Sequence, residues 1–411
     1  MPGALPEGEP VPAEGTLPDS ARSGLGQRPF GIYVHVPFCA TRCGYCDFNT
    51  YTAAELGGRA GAAAVSPANY AGLAAAEIAF ARKALGSADI PVSTVFFGGG
   101  TPTMLTPAAL GGILRAIGAE FGLVPGAEVT SEANPESVDE ASLAELRAQG
   151  VTRMSFGMQS AVPGVLAVLD RVHQPGRPAR CAAWARAAGF EHVSLDLIYG
   201  APGESGADWR RSLEAAIDAG PDHVSAYALT VEDGTRLAAR VRRGELAAPD
   251  DDVLAERYLV ADEVLAAAGL RWYEISNWAA GDPARCAHNM LYWTGGDWWG
   301  IGPGAHSHVG GTRWWNVRHP AAYGARIGTG VSPGQAREIL SGTERRLERV
   351  MLLIRLADGC PVPSLGPAGR ANAASVVRDG LASPAAYAEG RIVLTPAGRL
   401  LADTVARALT E

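Results

Sequence analysis

Cys39, Cys43 and Cys46, three cysteines within eight residues, carry the clearest chemistry in the sequence. Their C-x3-C-x2-C spacing places three thiolates on one short loop. Each thiolate can bind one iron of a cubane 4Fe–4S cluster and leave the fourth iron open. An open coordination position distinguishes a reactive metal site from a closed structural one. The competing reading is a zinc site with His35 as fourth ligand. Zinc sites usually use paired C-x2-C knuckles, and no second pair is present. The run G-G-G-T-P (Gly98–Pro102) is the second signal. Glycines let a ligand reach the backbone, and free N–H groups there can hold a carboxylate. An open iron beside such a loop fits S-adenosylmethionine chelating the iron through its amino and carboxylate groups. The third signal is C-A-H-N-M-L-Y-W (Cys286–Trp293). Here His288 could ligate haem iron and Cys286 offers a nearby thiolate. Trp293, Trp298 and Trp299 could supply flat apolar surface for a porphyrin. The plainer alternative is a structural His288 in an aromatic core, with Asn289 capping a turn. His306 and His308 are further candidate ligands.

Composition limits what surrounds these residues. The chain has 411 residues, 47% of them hydrophobic and 19% charged, which is enough for a large core and excludes wholesale disorder. A net charge of −8 disfavours a nucleic-acid binder, which needs a basic face. No apolar run reaches the ~18 residues that would span a bilayer. Six cysteines are too few for a disulfide scaffold in a chain of this length, and their clustering suits a reducing compartment. Residues 1–28 are rich in Pro, Gly and acid and have no apolar segment. They are expected to form a disordered leader, and the protein is expected to be cytoplasmic.

Six strand–helix units provide the scaffold. Strands are expected at Gly31–Val36, Ser93–Phe97, Glu128–Ser131, Arg153–Phe156, His192–Ile198 and His223–Leu229, with helices between them. The strands read as short and continuously apolar, as in parallel sheets covered on both faces. Six such units suggest an α/β fold with a partial (β/α)6 barrel, with a doubly wound sheet as the alternative. Residues 29–269 form this core. An aromatic-rich connecting region, with seven of the nine tryptophans, follows at 270–335. Residues 331–343 look like a linker, and 336–411 a small C-terminal helical, winged-helix-like domain. In that domain Thr395 should cap a helix that starts at Pro396.

The ordered set of motifs resembles the radical S-adenosylmethionine superfamily. Within it the chain is similar to the oxygen-independent coproporphyrinogen III oxidase family, from about residue 30 to the end. The match includes Y-V-H-V-P-F-C before the cluster, G-G-G-T-P, S-E-A-N-P (Ser131–Pro135), S-F-G-M-Q-S (Ser155–Ser160), D-R-V-H (Asp170–His173) and L-D-L-I-Y-G (Leu195–Gly200). Ala201, where Leu is commoner, and an insert near Leu56–Ser66 depart from the pattern. The resemblance implies that Tyr33, Gly99 and Glu132 contact cluster-bound S-adenosylmethionine. Tyr45, Gly100, Thr101, Gln159, Arg171 and Asp196 match positions that hold a second S-adenosylmethionine in the decarboxylase. The decarboxylases carry a further Cys two positions after the last cluster Cys, where this chain has Phe48. The haem-binding branch carries H-N-x-x-Y-W, present here as His288, Asn289, Tyr292 and Trp293. The resemblance therefore implies a haem chaperone with haem as cargo and haem-acceptor proteins as partners. It also implies a low-potential electron donor such as ferredoxin or flavodoxin, and no coproporphyrinogen oxidation.

Overall fold

A computed structural model describes residues 7–57 and 65–410. Thirteen strands form one sheet. In chain order they are β1 (Glu9–Pro10), β2 (Phe30–Val36), β3 (Val92–Gly99), β4 (Leu123–Ala133), β5 (Arg153–Gln159), β6 (His192–Tyr199) and β7 (His223–Ala228), then β8 (Arg271–Glu274), β9 (Asn277–Ala279), β10 (Asp297–Ile301), β11 (His306–Val309), β12 (Thr312–Asn316) and β13 (Gly334–Ile339). Strands β2 to β7 lie side by side in sequential order and are parallel. This is the expected six-stranded partial barrel. It is extended at both edges. β9 and β8 continue antiparallel from β7. On the other side β10 pairs parallel with β2, and β11, β12 and β13 follow antiparallel.

Local chemistry sets the helices. Thr106 caps the helix Pro107–Phe121 by accepting from the Ala109 N–H. Asp139 and Ser142 form a reciprocal capping box at the helix Glu140–Ala148. The apolar faces of these helices pack on the outward residues of the strands, such as Val95, Phe97, Val129, Phe156 and Leu195, in one continuous core.

The strands are not apolar on both faces. Inward-facing positions alternate with period two and are largely polar, in register across the sheet. Thr94 lies beside Glu128, Thr130 beside Arg153, and Glu132 beside Ser155. Ser194 pairs with His223 and Asp196 with Ser225. Outward residues bury against helices while inward residues line a polar interior. The continuous-apolar reading therefore holds for one face only.

Two expectations about organisation need correction. In the expected leader, residues 7–28 are packed. Glu9 and Pro10 pair with β13, Arg337 donates to Glu9 at 2.6 Å, and Leu17 and Ala21 are buried in the main core. Met1–Pro6 lie outside the described residues. The expected linker 331–343 contains β13, so a boundary between 335 and 336 would cut a paired strand. Its Gly, Pro and Ser content resembles a linker, but β12 and β1 satisfy its backbone from both sides. Part of the Leu56–Ser66 insert also lies outside the described residues.

The C-terminal unit has its own core around Val350, Ile354, Ala373, Val376 and Val405. It contains helices and a two-stranded ribbon, Cys360–Pro361 against Arg391–Ile392. Thr395 caps the helix Pro396–Leu400 as expected. Arg399 ties this unit to the barrel, donating to Asp262 at 2.9 Å and lying over the Trp272 ring. Among the described residues, no helix is long and apolar enough to cross a membrane.

Candidate functional site

A cavity of about 560 Å³ opens at the C-terminal ends of the parallel strands and runs down into the barrel. Cys39, Cys43 and Cys46 reach it from the loop after β2. Gly99, Gly100 and Thr101 reach it from the end of β3, Glu132 from β4, Gln159 from β5 and Asp196 from β6. Tyr33, Tyr45 and Arg171 complete the upper wall. The position agrees with the general rule that barrel chemistry sits at the strand C-termini.

The cysteine loop is held by the segment that follows β5. Gly44 N–H donates to the Leu169 carbonyl at 3.2 Å. Arg171 reaches Cys43 Sγ at 3.4 Å and the Gly157 carbonyl at 2.6 Å. Its Nε is buried and makes no hydrogen bond. Thr101 Oγ1 lies 3.8 Å from Cys39 Sγ. All three cysteines are free thiols. Burial pushes Cys39 up and Cys46 up to about 11, so metal capture must displace thiol protons. Among the described residues, no three Cys, His, Asp or Glu side chains close around a single ion. A cubane makes a different demand, one thiolate per iron. The loop's three cavity-facing thiols suit that donor set.

The glycine loop works differently from expectation. Its N–H groups are not free. Gly99 N–H donates to Glu132 Oε2 at 3.2 Å, Gly100 N–H to the Val36 carbonyl at 2.8 Å, and Thr101 N–H to the Phe38 carbonyl at 2.8 Å. The glycines are needed for close approach. Gly99 has φ +104°, and a Cβ there would lie 2.6 Å from the His35 ring. A Cβ on Gly100 would lie 2.6 Å from the Phe38 carbonyl oxygen. The loop therefore seats β3 against the cysteine loop. His35 sits behind the wall. Its Nε2 faces the Asn49 carbonyl at 2.9 Å, so that nitrogen carries the proton, and Nδ1 accepts from Tyr33 O–H at 3.1 Å. Burial lowers His35 to about 4, so it stays neutral and orients Tyr33.

The interior is acidic where the wall is tightest. Burial, then the nearby Asp196, raises Glu132 to about 8, partly offset by the Gly99 N–H. Burial also raises Asp196, although Ser155 O–H donates to both of its oxygens at 2.9 and 3.0 Å. Two buried carboxyls facing one cavity favour a cationic ligand. Gln159 has φ +63°, a strained value for a residue with a side chain, and it faces the same space.

The helix Ala287–Trp293 closes the floor. His288, Asn289 and Tyr292 face the cavity, as does Cys286. His288 is fully committed, with Nδ1 2.8 Å from Thr94 Oγ1 and Nε2 2.7 Å from Tyr292 Oη. Burial lowers it to about 3, so it is neutral. Burial pushes the Cys286 thiol up, and Glu128 pushes it further, which leaves no thiolate to offer. Asn289 does not cap a turn; it donates to Glu274 at 3.2 Å. Trp293 is not part of the cavity lining, because one residue past Tyr292 the helix has turned away. Trp299 is buried edge-on against Trp314, and Trp298 packs on His308. The expected porphyrin-stacking trio therefore does not converge.

Several lining residues escaped the sequence reading, namely Thr130, Arg153, Ser155, Ser194, His223 and Ser225. Their signal was the polar residue at every second strand position, as in E-V-T-S-E and R-M-S-F.

The pattern of the Radical SAM superfamily matches residues 33–216. The haem chaperone HemW of Mycobacterium tuberculosis is 54% identical over 383 residues, covering 93% of this chain and 95% of that protein. The haem chaperone HemW of Escherichia coli is 35% identical, covering 69% of this chain and 72% of that protein. Among solved structures, the coproporphyrinogen III oxidase HemN of Escherichia coli shares the fold. It has a TM-score of 0.79 and 21% identity, and the match covers 97% of this chain and 94% of that one.

Proposed function

We propose that this chain, which belongs to the HemW family of radical S-adenosylmethionine haem chaperones, binds haem and hands it to haem-requiring acceptor proteins. The observation that carries the reading is 54% identity along nearly the whole length of a haem chaperone, in a chain whose cavity is lined by Cys39, Cys43 and Cys46. Cys39, Cys43 and Cys46 would hold a 4Fe–4S cluster at the mouth. Tyr33, Gly99 and Glu132 would border S-adenosylmethionine, with Tyr45, Gly100, Thr101, Gln159, Arg171 and Asp196 on the surrounding wall. When bound, the cluster and S-adenosylmethionine supply one-electron reductive chemistry, fed by a low-potential donor such as ferredoxin or flavodoxin. The need for reduced thiols supports a cytoplasmic location. Phe48, 61% exposed at the cavity mouth, stands where the decarboxylase branch carries its extra Cys, so the decarboxylase reading is not favoured.

The test is anaerobic reconstitution followed by haem titration and mixing with an apo haem enzyme. The proposal expects stoichiometric haem uptake and recovery of the acceptor's activity. No haem uptake would contradict it.

Glu132 gives this reading a pH signature. Without ligand it is protonated below about pH 8. A bound sulfonium or ammonium favours the carboxylate, so binding at pH 7 expels its proton. Affinity for S-adenosylmethionine should rise from about pH 5 to about pH 8 and level off above. Calorimetry in buffers of different ionisation enthalpy measures this. Wild type should release close to one proton more than Glu132→Gln; equal release in the two proteins would rule Glu132 out as the responding group.

A further inference from the structure

After Cys46 the chain turns back and runs beside the entry to the cysteine loop. Tyr51 N–H donates to the Pro37 carbonyl at 2.7 Å, and Cys39 N–H donates to the Tyr51 carbonyl at 3.1 Å. Asn49 stands in this return, three residues past Cys46. Both N–H groups of its amide are used. Nδ2 donates to the Pro303 carbonyl at 3.0 Å and to the Arg318 carbonyl at 2.8 Å, and Oδ1 accepts from Tyr51 O–H at 3.1 Å. The Asn49 carbonyl accepts from His35 Nε2 at 2.9 Å, and His35 Nδ1 accepts from Tyr33 O–H.

The two carbonyls belong to a distant part of the chain. Pro303 sits in the turn Gly302–Gly304 that follows β10, and Arg318 lies just past β12. The turn is fitted against the end of β2 and the cysteine loop more closely than side chains would allow. Gly302 has φ +105°, and a Cβ there would lie 2.5 Å from both the His35 carbonyl oxygen and Tyr70 Oη. Gly304 has φ +75°, and a Cβ there would lie 2.6 Å from Asn49 Nδ2. The turn is anchored from outside the cysteine loop. Gly302 N–H donates to the buried Glu77 carboxyl at 2.7 Å, and Gly304 N–H donates to the Val317 carbonyl at 3.0 Å. Asn49 therefore joins a loop that carries thiols to a turn that is already fixed. Tyr51 O–H adds a longer contact to the Arg318 carbonyl at 3.3 Å.

We propose that Asn49 is a positioning residue for the cluster site, registering the cysteine loop on the β10 turn and, through His35, setting the direction of the Tyr33 hydroxyl. This rests on the reading of Cys39, Cys43 and Cys46 as cluster ligands. The residue type suits the task. Two carbonyls facing one point need two N–H donors, which an amide supplies and a carboxylate of the same shape does not. Three cubane ligands on one short loop tolerate little movement, because each thiolate must meet its own iron. Groups that orient metal ligands without touching the metal commonly decide how tightly it is held.

The experiment reconstitutes full-length protein anaerobically. It reads the electron paramagnetic resonance of the reduced cluster, the rate of iron release to a ferrous chelator, and S-adenosylmethionine affinity. Asn49→Ala and Asn49→Asp should release iron about ten-fold faster or more, show shifted g values and bind S-adenosylmethionine more weakly. Tyr51→Phe leaves both Asn49 donors in place and should stay close to wild type in all three. A residue that served the fold alone would lower the unfolding temperature of the cluster-free protein yet leave the g values and release rate of the loaded protein unchanged. That result in the Asn49 variants overturns the assignment while the cluster reading stands. Failure of a variant to take up iron, with the far-ultraviolet circular dichroism of wild type, supports it. Asn49→Asp, matched in shape, decides the matter where Asn49→Ala does not fold. If wild type itself takes up no cluster, the ligand reading falls, and this assignment falls with it.

Discussion

Cys43→Ala should lose nearly all cluster iron, falling from about four irons per chain to fewer than one after anaerobic reconstitution. Cys39→Ala and Cys46→Ala should behave alike. The three thiols share one loop at the cavity mouth, and two thiolates cannot hold three corners of a cubane. Cys181→Ala and Cys360→Ala should keep full iron. Cys181 is buried against the Pro135 carbonyl, and Cys360 lies in the C-terminal core. Iron and sulfide analysis with electron paramagnetic resonance measures the difference. Full iron in Cys43→Ala, or stoichiometric zinc in wild type, would remove the basis for the cluster.

Arg153→Leu should cost about 3–5 kcal/mol of stability, a large part of the total for a typical domain. Arg153 is 1% exposed and donates to Glu128 at 2.9 Å and to the carbonyls of Ala284 and Arg285 at 2.9 and 3.0 Å. Glu128 in turn accepts from the His288 N–H at 3.1 Å. One buried ion pair therefore fastens the floor helix to β4 and β5. Removing Arg153 strands a carboxylate in the interior, whereas removing both partners does not. The Glu128→Leu/Arg153→Leu double variant should recover part of the loss. Urea unfolding of the cluster-free protein checks both. A loss under 1 kcal/mol in the single variant would show that the pair does not hold the floor.

The fold was legible where local signals agreed with tertiary packing. The Thr395 helix cap, and β-branched or aromatic runs such as Ser93–Phe97, mark elements that the structure contains. The motif residues on the strand ends also converge, because a parallel barrel brings every strand's C-terminus to one rim. Three features were not legible, each for a non-local reason. β13 and residues 9–10 become strand only through each other and β12. The N–H groups of Gly99, Gly100 and Thr101 look free in sequence, yet partners on β2, on the loop after it and on β4 take them up. His288 and Trp293 share a motif, but helical rotation turns one into the cavity and the other away from it.

The central claim is that this scaffold carries haem and does not decarboxylate porphyrinogens. The most direct measurement supplies the reconstituted protein, under reducing anaerobic conditions with S-adenosylmethionine, with haem in one vessel and coproporphyrinogen III in another. The account predicts one haem bound per chain and no protoporphyrinogen. Protoporphyrinogen formed over many turnovers would contradict it and make the protein a decarboxylase.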